Sequence, residues 1–244
     1  MESDLLQNQW YLSRAEKARK IQRILHDHFG SEQNLASLRC LDLGCSIGVI
    51  STHLVSIFGQ VIGLDPLDES MRIASRLNPG SGAAFLQGDG LRLPFDDRVF
   101  DVIICAQVYE HTSDPFQLVA EIRRTLKPGG CCFFSGPNRL WPIEYHYRWL
   151  MLHWLPRAWV EGYCRLRYGQ EYDLMLYTYW QLKALWAGFE RIDYTLHLIY
   201  ESAEYLDSAR LQHWARWVPR PLASALRFLL PNYNWILIKA KGVD

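Results

Sequence analysis

Between Arg39 and Gly48 the chain reads Arg-Cys-Leu-Asp-Leu-Gly-Cys-Ser-Ile-Gly: an apolar run carrying an acid, ending in a tight turn with two glycines. The stretch 49–58 that follows is helix-like. A strand, a glycine-containing loop and a helix N-terminus in that order make a surface on which a nucleotide-like ligand can lie close against backbone. A second apolar run, Gln60-Val-Ile-Gly-Leu-Asp65, ends in another acid. Asp65 lies about 20 residues beyond the loop, where a strand-end carboxylate can accept hydrogen bonds from ribose hydroxyls. The loop alone is weak evidence; the loop with Asp65 points to a nucleoside-bearing cofactor.

These residues need a scaffold, and the flanking pattern supplies one. Strands are expected near 39–43, 60–64, 83–87, 99–105 and 131–135, and helices near 48–57, 68–76 and 114–126. Pro128-Gly-Gly130 ends the last of these helices and turns the chain into the fifth strand. Such alternation predicts a parallel sheet with helices on both faces. Ahead of it, residues 10–29 read as an amphipathic helix with Leu12, Ala15, Ala18, Ile21, Ile24, Leu25 and Phe29 near helical spacing, stopped by Gly30. A helix over 177–186, a strand near 190–200 and a last strand over 234–240 complete the core.

The composition changes at residue 138. No Trp occurs from 39 to 137, and nine of the ten follow. Residues 138–170 carry five Arg against two Glu, together with a cluster of Trp and Tyr. A stretch this long is more than a connection, which predicts a lid. The expected organisation is therefore an N-terminal helical segment (1–30), an α/β core (31–137), a lid (138–176) and a closing part of the core (177–244) with a second cap insertion at 202–231.

Bulk properties narrow the function. Twenty-six acids balance twenty-six bases, so net charge gives no argument for nucleic acid. The start, Met1-Glu-Ser-Asp, lacks the basic opening and apolar core of a signal peptide, and no apolar run is long enough to span a bilayer. A cytoplasmic protein is expected. The six cysteines show no CxxC pair and no metal-site spacing, so they read as buried thiols, and no metal is expected.

Five segments in register resemble the class I S-adenosylmethionine-dependent methyltransferases, in the small-molecule branch that includes quinone and sterol methyltransferases. They are Leu41-Asp-Leu-Gly-Cys-Ser-Ile-Gly48, Gly63-Leu-Asp-Pro66, Gly88-Asp-Gly-Leu-Arg-Leu-Pro-Phe95, the stretch from Phe100 to His111, and Leu126-Lys-Pro-Gly-Gly130. The resemblance implies an α/β, Rossmann-like seven-stranded sheet with its last strand antiparallel, helices on both faces and a helical, aromatic-rich cap. It implies S-adenosyl-L-methionine as cofactor. Gly44 and Gly48, with Cys45 and Ser46 between them, would bring backbone to its methionine part, Ser46 standing where the family usually has a third glycine. Asp42 would help organise the loop and the cofactor's amino group. Asp65 would take the ribose, and Pro66 and Leu67 would pack on the adenine. Asp89, flanked by Gly88 and Gly90, would accept from the adenine amine, while Ala106, Gln107 and His111 follow the fourth strand at the ligand-binding edge. A nicotinamide enzyme is the poorer alternative: the loop is not G-x-G-x-x-G, and the 88–90 and 126–130 segments have no role there.

Methyl transfer from a sulfonium is a single in-line displacement, so alignment and exclusion of water matter most. A base is needed only if the acceptor loses a proton as it attacks. His146 and His111 are the catalytic candidates, with His153 behind them. Tyr109, Arg139, Trp141, Tyr145 and Arg148 are candidates for the acceptor pocket, since aromatic faces and guanidinium groups suit an apolar or aromatic acceptor with a negative group; Tyr109 reads equally well as a core residue. The 202–231 insertion, with Trp, Leu and Arg interleaved, is a candidate membrane-surface contact. Three functions stay open: a methyltransferase of a small apolar, lipid- or quinone-like acceptor; a methyltransferase of a soluble sugar, natural product or macromolecule; and a non-catalytic module that binds cofactor or partner. The sequence does not fix the oligomeric state.

Overall fold

The computed structural model describes residues 9–30, 35–142, 150–169, 171–172, 174–201 and 218–242. In chain order the elements are α1 (Gln9–Phe29), β1 (Arg39–Leu43), α2 (Val49–Leu54), β2 (Gln60–Asp65), α3 (Asp68–Leu77), β3 (Ala83–Gln87), β4 (Phe100–Ala106), a 3-10 turn (Tyr109–His111), α4 (Pro115–Thr125) and β5 (Leu126–Pro137). They continue with a 3-10 turn (Leu152–Trp154), α5 (Arg157–Tyr168), α6 (Tyr179–Leu185), β6 (Phe189–Asp193), α7 (Thr195–Tyr200), α8 (Arg220–Ala225), a 3-10 turn (Arg227–Leu229) and β7 (Asn232–Lys239).

Among the described residues the strands form one seven-stranded sheet in the order β3-β2-β1-β4-β5-β7-β6. β1 to β5 pair in parallel, and β7 runs antiparallel to both β5 and β6. This is the expected Rossmann-like sheet with an antiparallel last strand.

Strand alternation divides the core in two. Leu41, Leu43, Ile103, Cys105, Cys132, Phe134, Trp235 and Leu237 face one way, onto Leu118 and Ile122 of α4 and Leu182 of α6. Cys40, Val102, Ile104, Cys131, Phe133 and Ile236 face the other way, onto Ala18, Ile21 and Leu25 of α1 and Ile50 and Leu54 of α2. All six cysteine side chains are buried. Asp42 shares the parity of Cys40, so its carboxylate is directed to the α1–α2 side.

Three local expectations are corrected. Leu12 is exposed, because helical rotation places it on the far side of the buried stripe of Ala18, Ile21 and Leu25. β5 begins at Leu126 rather than 131. Phe100 pairs with Leu126 and Val102 with Cys131, so Lys127–Gly130 is accommodated as a bulge inside the strand. The strand expected near 190–200 ends at Asp193, where the carboxylate accepts the N–H of Thr195 at 2.9 Å and turns the chain into α7. Thr195 Oγ1 then accepts the N–H of Asn234 at 3.0 Å, and Leu198 joins the core; these contacts override the β-prone composition of 195–200.

Candidate active site

The registers align the strand ends. Leu43 pairs with Leu64 and with Cys105, Asp65 with Gln87, and Ala106 with Ser135. The loops 44–48, 66–67, 88–90, 107–111 and 138–141 therefore leave the sheet at one carboxyl edge. β1 and β4 are neighbours in the sheet while β1 continues to β2 on its other side. That reversal opens a crevice at the end of β1, where open α/β sheets bind ligands.

The glycine loop has a definite conformation. Gly44 and Gly48 are left-handed, at φ 70° and 82°. A Cβ on Gly44 would lie 2.7 Å from Val108 Cγ2, and one on Gly48 2.5 Å from Phe85 Cε1. Packing by the chain itself thus demands glycine at both positions, in addition to any ligand. Ser46 is left-handed too, at φ 50°, a conformation that favours glycine. Its N–H donates to Asp65 Oδ2 at 3.0 Å, while Asp65 Oδ1 accepts the N–H of Leu67 at 3.0 Å. Cys45 turns its thiol inward beside Met71, Ala74 and Phe85, and burial pushes its pKa up, so only its backbone faces the loop.

Asp42 is buried and accepts a 2.6 Å hydrogen bond from Ser51 Oγ. Burial raises its pKa from the ordinary 3.8 to about 6, against the lowering effect of that hydrogen bond and of the Arg14 guanidinium. Arg14 was not among the expected site residues. Burial lowers its pKa, while the charges of Asp42 and Asp65 support its protonated form. Lys17, one turn on, is lowered to about 8 by burial and by Arg14, with Glu110 and Asp42 opposing. The signal was present in the sequence: Arg14 continues the Ala18, Ile21, Leu25 stripe at helical spacing, so α1 carries a cation on its buried face.

The remaining positions fall into place around this pair of acids. Pro66 and Leu67 are exposed beside Asp65, and Asp89 is exposed with Oδ1 accepting the N–H of Leu91 at 2.9 Å. Gly88 and Gly90 are half-buried on either side of it. Ala106 ends β4; Gln107, left-handed at φ 63°, donates through Nε2 to Asn232 Oδ1 at 2.8 Å and is thereby tied to β7. His111 is exposed on the 3-10 turn.

Tyr109, a candidate for the acceptor pocket, is instead fully buried. Its hydroxyl donates to Pro137 O at 2.6 Å and accepts the N–H of Tyr177 at 3.2 Å, so it joins β5 to the segment returning from the lid. That segment is held further by Met175 N donating to Glu110 O at 2.8 Å and Arg139 N to Tyr177 O at 3.0 Å. Asn138, buried, donates to Phe228 O and Leu230 O, each at 2.8 Å, and anchors the start of the lid. Arg139 is exposed and Trp141 half-buried beyond it. His146, Tyr145 and Arg148 lie outside the described residues, as does the side chain of His153.

The sequence model of the family described as a methyltransferase domain matches residues 41–134. This stretch is a methyltransferase domain. It is of the class I, S-adenosylmethionine-dependent kind. The domain contains the glycine loop, Asp65 and Asp89 together. The ubiquinone biosynthesis O-methyltransferase of Burkholderia multivorans is 33% identical over 115 residues, which is 45% of this chain and 48% of that protein. The chain thus spans about half the length of the curated relatives it matches. Two solved structures share the fold of the methyltransferase domain and its surroundings. The PH0226 protein of Pyrococcus horikoshii has a TM-score of 0.62 at 19% identity, covering 95% of this chain and 92% of that one. An S-adenosylmethionine-dependent methyltransferase from Mesorhizobium loti has a TM-score of 0.56 at 18% identity, covering 84% and 92%.

The residues of the methyltransferase domain fit that cofactor. Each oxygen of Asp65 takes one backbone N–H, which leaves a further acceptor direction on each for a vicinal diol. Leu67 offers an apolar face beside it.

Proposed function

We propose that the protein transfers the methyl group of S-adenosylmethionine to a small apolar acceptor of quinone- or lipid-like character. Bound cofactor supplies an electrophilic sulfonium methyl. The chain's part is to bind, align and exclude water. Asp65 holds the ribose, the backbone of 44–48 and the Asp42 carboxylate receive the amino-acid end, and Leu67 and Asp89 receive the adenine. His111, on the turn after β4, is the described candidate for taking a proton from a hydroxyl acceptor; His146 remains a second candidate.

The observation that carries the acceptor class is a cavity of about 160 Å³ between α5 and the returning lid segment, lined by Leu155, Val160, Tyr172 and Leu174 with Arg139 and Arg157. Arg157 is paired with Glu161 at 2.6 Å, so the apolar side chains together with the Arg139 guanidinium are what suit an amphipathic acceptor bearing a negative group. The partial match to a ubiquinone biosynthesis O-methyltransferase supports the same class. Among the described residues no helix is long and apolar enough to cross a membrane. The suggested contact through 202–231 falls largely on residues 202–217, outside the described ones.

The test is incubation with methyl-labelled S-adenosylmethionine and a panel of phenolic quinone precursors, prenyl lipids and soluble sugars. Label in an apolar phenol, reduced in Arg139→Ala, supports the proposal. Label only in a soluble sugar would replace the acceptor class. Binding of S-adenosylhomocysteine with no transfer to any acceptor would favour a non-catalytic module.

A further inference from the structure

Gln107 leaves the end of β4 left-handed, at φ 63°, a backbone region where a residue with a Cβ is uncommon and strained. Both its ends are tied. Its backbone N–H donates to Ser135 O at 2.8 Å, and its side-chain Nε2 donates to Asn232 Oδ1 at 2.8 Å. Asn232 cannot turn over to reverse this pair. Its Nδ2 donates to Ser135 Oγ at 2.9 Å and to Tyr233 O at 3.1 Å, so only its oxygen can face Gln107. The half-buried Gln107 carboxamide is therefore fixed with its nitrogen toward β7. Its Oε1 is left as an acceptor that takes no hydrogen bond from any described residue.

The next residue, Val108, packs on Gly44 so closely that a Cβ there would meet Val108 Cγ2 at 2.7 Å. Residues 107–108 thus abut the loop to which the methionine end of the cofactor is assigned. On the other side, Asn232 pairs with Pro137, and Asn138 begins the lid. Gln107 stands between the cofactor loop and the root of the lid, where methyl group and acceptor have to meet. A neutral amide oxygen in that position needs a donor. A ring carbon offers none; a phenolic hydroxyl is the donor that a quinone-like acceptor presents.

We propose that Gln107 Oε1 accepts the hydrogen bond of the attacking hydroxyl, with Asn232 as the positioning residue that fixes it, so that the acceptor is methylated on oxygen rather than on a ring carbon. This rests on the methyltransferase reading above and names the acceptor atom. The hydrogen bond turns the hydroxyl so that a lone pair, not the proton, faces the methyl carbon. As the O–C bond forms, the electron pair of the C–S bond stays with sulfur and the hydroxyl proton leaves. A neutral amide does not take that proton, which passes to His111 or to solvent.

The test uses 4-methylcatechol as acceptor. With wild type it should bind the S-adenosylhomocysteine complex in calorimetry and take label from methyl-labelled S-adenosylmethionine. Gln107→Met keeps the length of the side chain and removes the amide. Its kcat should fall about 10- to 100-fold, with S-adenosylhomocysteine affinity and unfolding midpoint unchanged. Asn232→Leu, which releases the amide, should lower kcat in the same direction. Asn232→Asp, which keeps an oxygen for Gln107 Nε2, should recover part of it. Should Gln107→Met misfold, the two Asn232 variants read the same oxygen. An unchanged kcat in folded Gln107→Met overturns the proposal, as does a loss that tracks S-adenosylhomocysteine affinity, which would make Gln107 a cofactor ligand. Label on a ring carbon overturns it too. Binding of S-adenosylhomocysteine with neither binding nor methylation of 4-methylcatechol refutes the hydroxyl acceptor and leaves the methyltransferase reading standing. Failure to bind S-adenosylhomocysteine removes that reading and the proposal with it.

Discussion

The backbone N–H of Ser46 donates to Asp65 Oδ2 at 3.0 Å, tying the loop after β1 to the last residue of β2. One carboxylate thus fixes the loop and stays available at its edge. Asp65→Ala removes both functions. S-adenosylhomocysteine binding is expected to weaken by about 1–3 kcal/mol, the range for lost charge-assisted hydrogen bonds. Calorimetric titration measures it; an unchanged affinity would show that the ribose is held elsewhere.

Ser46 occupies a left-handed conformation at φ 50° that costs a residue with a Cβ about 1–2 kcal/mol. Glycine relieves that strain and gives back part of the gain in unfolded-state entropy. Ser46→Gly is therefore expected to stabilise the fold by a few tenths to about 1 kcal/mol in urea unfolding. Ser46→Val, β-branched, should destabilise it. A destabilised Ser46→Gly would mean that the serine hydroxyl makes a contact worth more than the strain.

Asp42 predicts a pH dependence. Its pKa in the fold is raised to about 6, chiefly by burial. A raised acid binds its proton more tightly folded than unfolded, so its contribution to stability is fullest below pH 3.8 and is lost as pH rises through about 6. Asp42→Asn keeps a partner for Ser51 and removes the titration. The variant is expected to match wild type near pH 4 and to exceed it by roughly 2–3 kcal/mol above pH 7, while binding S-adenosylhomocysteine more weakly. Parallel unfolding midpoints from pH 4 to 7.5 would refute the assignment.

Legibility from sequence followed the range of each interaction. β1, β2 and β3 were readable because their apolar runs and turn residues are local, and the strand ends set the edge at which Asp42, Asp65 and Asp89 meet. The placement of Asp42 on the α1 side needs only strand parity. What escaped was tertiary. Thr195–Tyr200 is helical because Asp193 accepts the N–H of Thr195 and turns the chain, and Asn234 holds Thr195, a contact 39 residues away. Arg14 went unremarked, although its spacing to Ala18 and Ile21 puts it on the buried face. For Tyr109 the sequence leaves pocket and core equally open; the hydroxyl partners that place it in the core, Pro137 and Tyr177, are 28 and 68 residues away.

That last relationship yields a sharper test of the site's boundary. Tyr109 is fully buried, with its hydroxyl donating to Pro137 O and accepting from Tyr177 N. Phenylalanine would keep the ring against Phe134 and Tyr177 and strand both backbone groups. Leaving a buried partner unsatisfied costs about 1–3 kcal/mol, so Tyr109→Phe should unfold at correspondingly lower denaturant. Because the hydroxyl is spent on backbone, S-adenosylhomocysteine affinity should not change. Acceptor KM would rise only insofar as the Met175–Tyr177 segment loosens, and it would rise equally for every acceptor. A selective loss toward one acceptor, with stability intact, would return Tyr109 to the pocket and require the lid segment to move aside during turnover.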